Sequence, residues 1–142
     1  MKRIKTLALL FVAALTVVGC SESGAESGRG RLSVALSTDD SAIDLTRASR
    51  GLTKPAAADF ALTISDATGN VLSEWNSIAD YDETTLYNVG NYSAKATYGK
   101  TSVEAFETPC FEGTKEFAII NDQTTAVKIT AYVANAVVKI EC

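Results

Sequence analysis

The chain contains no histidine among its 142 residues, and it has only three cysteines, two prolines and one tryptophan. Without histidine it lacks the usual general base, the usual zinc ligand and any Ser-His or Cys-His catalytic pair. Basic residues are also in the minority, 13 against 17 acidic ones, for a net charge of −4. This balance argues against a nucleic-acid partner, because phosphates require a basic surface. The 46% of hydrophobic residues still allow a buried core, and the length fits one domain.

No apolar run reaches the roughly 20 residues that a membrane-spanning helix needs. The longest run, residues 7–18, follows three basic residues and is interrupted only by Thr16. It leads into the small Gly19 and then Cys20. This order resembles a bacterial lipoprotein signal, in which the cysteine thiol and amine are lipidated with chains such as palmitate. We predict a signal peptide over residues 1–19, cleavage between Gly19 and Cys20, and lipidation of Cys20. An ordinary cleaved signal or a simple N-terminal anchor is the alternative.

The residues after Cys20 predict an exported domain on a tether. Removal of residues 1–19 lowers the net charge from −4 to −7, as suits a soluble acidic domain. Residues 20–30 are rich in Ser and Gly and predict a flexible tether. Glu22 and Glu26 resemble the weakly acidic surface-export signal of Bacteroides-type lipoproteins. We therefore expect an outer-membrane lipoprotein of the cell envelope, held by Cys20 as its sole membrane contact and exposed at the cell surface, with a periplasmic location as the alternative.

From residue 31 onward, apolar residues recur with a period of two, which is typical of strands. Strands are predicted over residues 32–36, 60–64, 71–75, 84–87, 92–98, 115–120 and 125–133, with a further strand after a bulge at 135–140. A long loop is predicted from residue 38 to 58 and an irregular corner from 108 to 113. No window predicts a long amphipathic helix. We expect residues 31–142 to form an all-β domain, an antiparallel β-sandwich of the immunoglobulin-like or transthyretin-like kind.

The order of these segments resembles a known family. The chain contains the segments GRLSVALSTDD, DFALTISDATGNVLSEW, VGNYSAKATYG, FETPCFEG and TTAVKITAYVANAVVKIEC. Over residues 29–142 this order resembles the lipoproteins of Bacteroides-type gut bacteria called domain of unknown function 4493. The resemblance implies an exported, lipid-anchored β-sandwich and supplies no catalytic residue. A likeness to transthyretin-like domains of fimbrial anchoring proteins holds at the level of the fold alone.

Aromatic residues are the candidate ligand contacts. Trp75, Tyr92 and Tyr98 follow the strand pattern and are predicted to pack in the core. Tyr81 and Tyr87 lie in a polar spacer, so we predict them as the aromatics available to stack on a ligand such as a sugar.

The carboxylates have only weak signals for chemistry. Asp39, Asp40 and Asp44 fall in one loop, but their spacing does not match a calcium loop, and a solvated acidic loop is the favoured interpretation. Asp82 and Glu83 could perform glycosidase chemistry, although nothing places them in a cleft. We predict no metal site, no cofactor and no catalytic residue.

The remaining cysteines, Cys110 and Cys142, can form one disulfide in an oxidising compartment or stay unpaired. Taken together, the sequence predicts a binding or structural module, not an enzyme, whose partner is a glycan or a surface protein. The alternative is a pilus-associated subunit that assembles by strand addition. A glycan-active enzyme is a distant third.

Overall fold

A computed structural model of the chain describes residues 28–41, 54–100 and 109–134. These ranges contain seven strands: β1 (Arg29–Asp39), β2 (Ala61–Asp66), β3 (Val71–Trp75), β4 (Leu86–Asn88), β5 (Gly90–Tyr98), β6 (Phe111–Ile119) and β7 (Thr124–Val133). Two 3₁₀ turns, Ala57–Asp59 and Ile78–Asp80, are the only helical segments that the described ranges contain. None of the helical structure in this part of the chain is long and apolar enough to cross a membrane. The prediction of an all-β chain is confirmed.

The seven strands form one curled sheet, a half-barrel, in the order β3-β2-β5-β6-β7-β1-β4. Neighbouring strands are antiparallel except β1 and β7, which run parallel from the pair Arg31 and Thr124 to the pair Asp39 and Tyr132. The described residues therefore differ from the predicted antiparallel sandwich in two ways, a single sheet and a parallel pair. An apolar period of two occurs in parallel and antiparallel strands alike, so the sequence pattern cannot distinguish these arrangements.

Strand β1 is longer at both ends than its apolar pattern predicts. It begins at Arg29, whose carbonyl accepts a 2.8 Å hydrogen bond from the Asp122 amide, and so includes two residues assigned to the tether. It continues through Asp39, within the predicted loop, because β7 runs alongside it to Tyr132. Pairing with a distant strand thus keeps polar residues extended.

Other boundary predictions have mixed outcomes. Residues 111–113, predicted as part of an irregular corner, belong to β6. The predicted short strand at 84–87 corresponds to β4. The predicted loop residues 42–53 and the predicted strand at 135–140 lie outside the described residues.

One face of the sheet carries the core, and the apolar residues of β2, β5 and β7 on it follow the predicted alternation. Its buried side chains are Leu32, Phe60, Leu62, Ile64, Tyr81, Tyr87, Ala94, Ala96, Phe111, Ile119, Val127, Ile129 and Ala131. The strands approach closely at Gly113, where a Cβ atom would overlap the carbonyl oxygen of Thr130. The β2–β3 hairpin turns at Gly69, whose φ of 89° suits a residue without a side chain. Burial of alternate residues is therefore what orders these strands into a sheet.

Candidate functional site

The structure places Tyr81 and Tyr87, the predicted ligand contacts, inside the protein. Their side chains are only 9% and 7% exposed, and both belong to the core cluster. The Tyr81 ring packs edge-on against Trp75 at 5.1 Å, and the Tyr87 ring packs against Tyr92 at 5.9 Å. A ligand could reach these rings only by displacing core contacts. Tyr81 and Tyr87 are therefore not available to stack on a ligand, and a binding site requires an aromatic residue on the surface.

Burial also explains the electrostatics of this tyrosine pair. The Tyr81 hydroxyl donates a 2.9 Å hydrogen bond to the Leu32 carbonyl, which links the connection after β3 to β1. Burial and then the neighbouring Tyr87 hydroxyl raise the pKa of Tyr81 far above its usual value. Burial likewise raises the pKa of Tyr87. Both rings stay uncharged and fasten the curl of the sheet, which is a structural role.

The other aromatic predictions are confirmed. Trp75, Tyr92 and Tyr98 are half-buried and pack against the core cluster. Tyr92 stacks on Phe117 with the ring centres 5.8 Å apart. Sequence periodicity identified these residues correctly because each follows the apolar face of its strand.

The acidic candidates are arranged as turn residues. Asp39 accepts a hydrogen bond from the Ser41 amide, and Asp82 accepts one from the Thr84 amide at 2.8 Å. Donors from Ser41 and Thr84 lower the pKa of the two carboxyl groups. Glu83 accepts a 2.9 Å hydrogen bond from the Ser33 hydroxyl.

The acidic candidates that the structure describes do not form a cluster of metal ligands. In the described ranges no group of three or more His, Cys, Asp or Glu side chains is placed to hold a metal ion. Asp40 lies 3.7 Å from the Lys54 ammonium, and Asp44 lies outside the described residues.

The cysteines are only partly described. Cys110 is 3% exposed and lies directly before β6, where its carbonyl accepts a 2.7 Å hydrogen bond from the Ala134 amide. Gly19, Cys20 and Cys142 lie outside the described residues, so the lipidation of Cys20 and the pairing of Cys110 with Cys142 stay predictions.

A different aromatic residue, Tyr132, is the one that faces solvent. It is 56% exposed, although its neighbours Ala131 and Val133 face the core. Tyr132 pairs with Asp39 of β1 on one side and with Glu112 of β6 on the other. Side chains of directly paired residues lie about 5 Å apart on the same face of a sheet. The solvent-facing side of the sheet thus carries a tyrosine between two carboxylates, a set of three residues that we call the Tyr132 row.

Polar groups surround the Tyr132 row. The Glu112 carboxylate lies 3.1 Å from the Lys95 ammonium of β5. The hydroxyl groups of Ser37 and Thr130 lie 3.3 Å apart on β1 and β7. A surface depression of about 550 Å³ opens here, lined by Glu112, Gly113, Thr114, Thr130, Tyr132 and Ala134. A flat ring with carboxylates and hydroxyls beside it can stack on an apolar ligand face and bond the polar edge of that ligand.

Sequence reasoning missed Tyr132 although a signal was present. The apolar residues of β7 occupy the odd-numbered positions from Val127 to Val133, so the even-numbered positions point to solvent. Tyr132 is the one aromatic residue at such a position among Ala126, Lys128 and Thr130. An aromatic residue among the otherwise polar, solvent-facing positions of a strand is therefore the pattern that would have identified this site.

Comparison with known proteins gives a family and no activity. The sequence model of the family described as Domain of unknown function (DUF4493) matches residues 28–142. No curated protein and no solved structure shows significant similarity to the chain.

Proposed function

The chain belongs to the DUF4493 family, and from that premise we propose that it is a lipid-anchored module of the cell envelope that binds an uncharged glycan at the Tyr132 row. The proposal includes a signal peptide over residues 1–19, a lipid on Cys20, and display of the domain at the outer-membrane surface of a Bacteroides-type bacterium. A sandwich-like closure of the half-barrel, of the immunoglobulin or transthyretin kind, also belongs to the proposal.

The observation that carries the proposal is the exposed Tyr132 ring between two carboxylates. The apolar face of a pyranose gains contact with an aromatic ring, while its hydroxyl groups need acceptors at the ring edge. Asp39 and Glu112 supply charged acceptors, which form the stronger hydrogen bonds. Glu112 is paired with Lys95, so the Asp39 carboxylate supplies the negative charge that would repel uronic acids and sulfated sugars. The row therefore favours neutral sugars.

The electrostatics of Asp39 favour binding over acid catalysis at this residue. A glycosidase needs one carboxyl group whose pKa is raised, so that it carries a proton at neutral pH. At Asp39 the donors of Ser41 lower the pKa instead. Asp39 is therefore suited to accept hydrogen bonds from a ligand, and the glycan-active enzyme stays the weaker alternative.

The position of the row supports display away from the membrane. Strand β1 begins at Arg29, next to the predicted tether, and ends at Asp39, which pairs with Tyr132. A strand rises about 3.3 Å per residue, so these ends lie about 33 Å apart. We call the end at Arg29 the proximal end of the sheet and the end at Asp39 the distal end. A lipid on Cys20 would hold the proximal end near the bilayer and leave the row facing outward.

The test is binding of the purified protein to an array of neutral and acidic glycans, with each hit titrated by calorimetry. We expect neutral glycans to bind and Tyr132→Ala to weaken binding at least tenfold, or about 1.4 kcal/mol. Leu86→Ala is the matched control, because Leu86 is a similarly exposed apolar residue at the proximal end. Unchanged binding by Tyr132→Ala, or an array without hits, would contradict the proposal.

One observation favours the second candidate, a pilus-associated subunit that assembles by strand addition. Among the described residues, β4 pairs only with Arg29–Arg31, whereas β1 continues to Asp39. Residues 36–38 of this free edge border a groove of about 320 Å³ with Lys54, Pro55 and Ala57. An open strand edge can pair with an extended segment of another chain.

Backbone direction provides a sharp test of that candidate. The carbonyls of Leu32 and Thr38 accept hydrogen bonds from Tyr81 and Lys54. The backbone N–H and C=O groups of even-numbered β1 residues therefore point to the open edge, and those of odd-numbered residues point to β7. Thr38→Pro should therefore fold and abolish assembly, whereas Ser37→Pro should remove a bond to β7 and unfold the domain. Sedimentation velocity measures the assembly of each variant, and circular dichroism measures whether each variant is folded. Assembly that persists in a folded Thr38→Pro variant would argue against strand addition at this edge.

A further inference from the structure

The large apolar side chains that the described surface exposes are unevenly distributed. Five are more than two-fifths exposed: Val71 (59%), Leu72 (48%), Leu86 (51%), Ile120 (51%) and Tyr132 (56%). Tyr132 lies at the distal end, as shown above. The other four, which we call the proximal apolar set, lie at the opposite end.

Two members of the set lie beside the first residues of β1. Leu86 pairs directly with Arg31. Ile120 begins the turn between β6 and β7, and the Asp122 amide of this turn donates to the Arg29 carbonyl at 2.8 Å. Both residues are therefore close to the point where the predicted tether enters the sheet.

The other two members lie at the same end on the far edge of the sheet. Strand β3 begins at Val71, which pairs with Ser65 near the end of β2. Strand β2 ends where β5 begins, since Asp66 pairs with Tyr92, and the start of β5 lies beside the end of β6. The register of the sheet thus assigns all four exposed apolar residues to its proximal end.

We propose that the proximal apolar set is a membrane-contact surface that rests in the interface of a lipid bilayer. The inference rests on the proposed lipid at Cys20. Eight residues, 21–28, separate Cys20 from Arg29, and a flexible chain of this length has an r.m.s. reach of roughly 16 Å. The anchor therefore confines the proximal end to the bilayer surface at high effective concentration, where weak apolar contacts are sufficient.

The charges of this end favour neutral lipid. Arg29 and Arg31 are exposed there, but so is Asp122, and the Asp66 carboxylate lies in the adjacent hairpin turn. Opposite charges at one end give little net attraction to anionic headgroups. The contact is therefore apolar and insensitive to salt. It adds a second membrane contact to the lipid on Cys20 and fixes the domain with the Tyr132 row pointing away from the bilayer.

The experiment compares tryptophan positions in the full chain, expressed in a host that processes lipoproteins and reconstituted in vesicles of brominated phosphatidylcholine. Ile120→Trp and Leu86→Trp report on the proximal end, and Tyr132→Trp is the matched distal control. The native Trp75 is the same in all three variants. We expect bromine to quench the added fluorescence at both proximal positions at least twice as strongly as at residue 132, in low and high salt alike.

Each outcome has one meaning. A chain that co-sediments with vesicles but is quenched equally at both ends overturns the membrane contact and leaves the anchor intact. A chain that fails to co-sediment overturns the anchor and the contact together. Self-association in the absence of lipid that Ile120→Ser abolishes would assign the set to a second copy of the chain, which also overturns the contact.

Discussion

At the residue scale, two buried tyrosines differ in what their hydroxyl groups do. The Tyr81 hydroxyl donates to the Leu32 carbonyl at 2.9 Å, whereas the buried Tyr87 hydroxyl has no hydrogen-bond partner among the described residues. A buried polar group stabilises the fold only when it is paired. The two residues therefore form a matched pair of nearly equal burial and different bonding.

We expect Tyr81→Phe to lower the free energy of unfolding by about 1–3 kcal/mol, because the buried Leu32 carbonyl loses its donor. Tyr87→Phe removes no bond and takes away an unpaired buried hydroxyl, so the free energy of unfolding should not fall. Chemical denaturation of both purified variants measures the difference. Equal losses in the two variants would contradict the assignment of the bond to Tyr81.

Asp66 shows how a single carboxylate couples the hairpin turn to pH. The side-chain hydroxyl of Thr68, followed by Asn70, lowers the pKa of Asp66 from 3.8 to about 2. A carboxyl group with a lowered pKa in the folded state stabilises it above the unfolded pKa. This contribution is lost as the pH falls from 3.8 to about 2.

The denaturation midpoint should accordingly fall across this acidic window, and less steeply in Asp66→Asn. Thr68→Ala removes the largest cause of the lowered Asp66 pKa. The folded-state pKa of Asp66 should then rise, so the pH range over which stability is lost should become narrower at its lower limit. Denaturant titrations at a series of pH values give the slope of the denaturation midpoint against pH for the wild-type protein and for each variant. An unaltered slope in Asp66→Asn would show that other carboxyl groups carry the acid sensitivity.

At the scale of elements, the contact between β6 and β7 depends on the absence of a side chain. A Cβ on Gly113 would overlap the Thr130 carbonyl oxygen and lie 2.9 Å from Ala131 Cα. Both atoms belong to the backbone, so neither can rotate away as a side chain could. The two strands must separate if this position is filled.

Gly113→Ala should therefore cost about 1–3 kcal/mol of stability. Thr114→Ala, at the next and exposed position of the same strand, is the control and should cost less than about 0.5 kcal/mol. Thermal or chemical unfolding measures the two values. A stable Gly113→Ala variant would mean that β6 and β7 tolerate a wider spacing.

The elements themselves were largely predictable, since alternation of apolar residues is a local property. The apolar period of two in the sequence places Leu62 and Ile64 of β2 on one face and the odd-numbered residues of β7 on one face, and in the structure these residues face the core. The ends of β1 were not predictable, because Thr38 and Asp39 are held extended by β7, which lies about 90 residues away in the chain. The burial of Tyr81 and Tyr87 was not predictable either, because it depends on contacts with residues that are distant in the chain, such as the bond from Tyr81 to Leu32.

At the scale of the whole molecule, the topology relates the two ends of the sheet to the predicted anchor. The proximal end carries four exposed apolar side chains and adjoins the predicted tether, while the distal end carries the Tyr132 row. This polarity is useful only if Cys20 holds the chain to a membrane. Lipidation of Cys20 is therefore the prediction on which the proposed orientation depends.

We expect Cys20→Ala to move the protein from the membrane fraction to the soluble fraction, because a cleaved signal alone leaves no anchor. Protease treatment of intact cells should remove the domain when Cys20 is present, if the domain is displayed at the surface. Immunoblots of fractions and of treated cells measure both. Membrane retention of Cys20→Ala would refute the lipid anchor, and protection in intact cells would place the domain in the periplasm.

The sequence by itself determined which residues of β2 and β7 face the core and that the described chain is all-β, because these depend on neighbours within a few residues. The tertiary structure alone decided that β1 and β7 lie parallel, that Tyr81 and Tyr87 are buried, and that Tyr132 is exposed between Asp39 and Glu112. Each of these outcomes depends on which distant strands become neighbours. A period of two is the same for every such pairing, so only the assembled sheet selects among them.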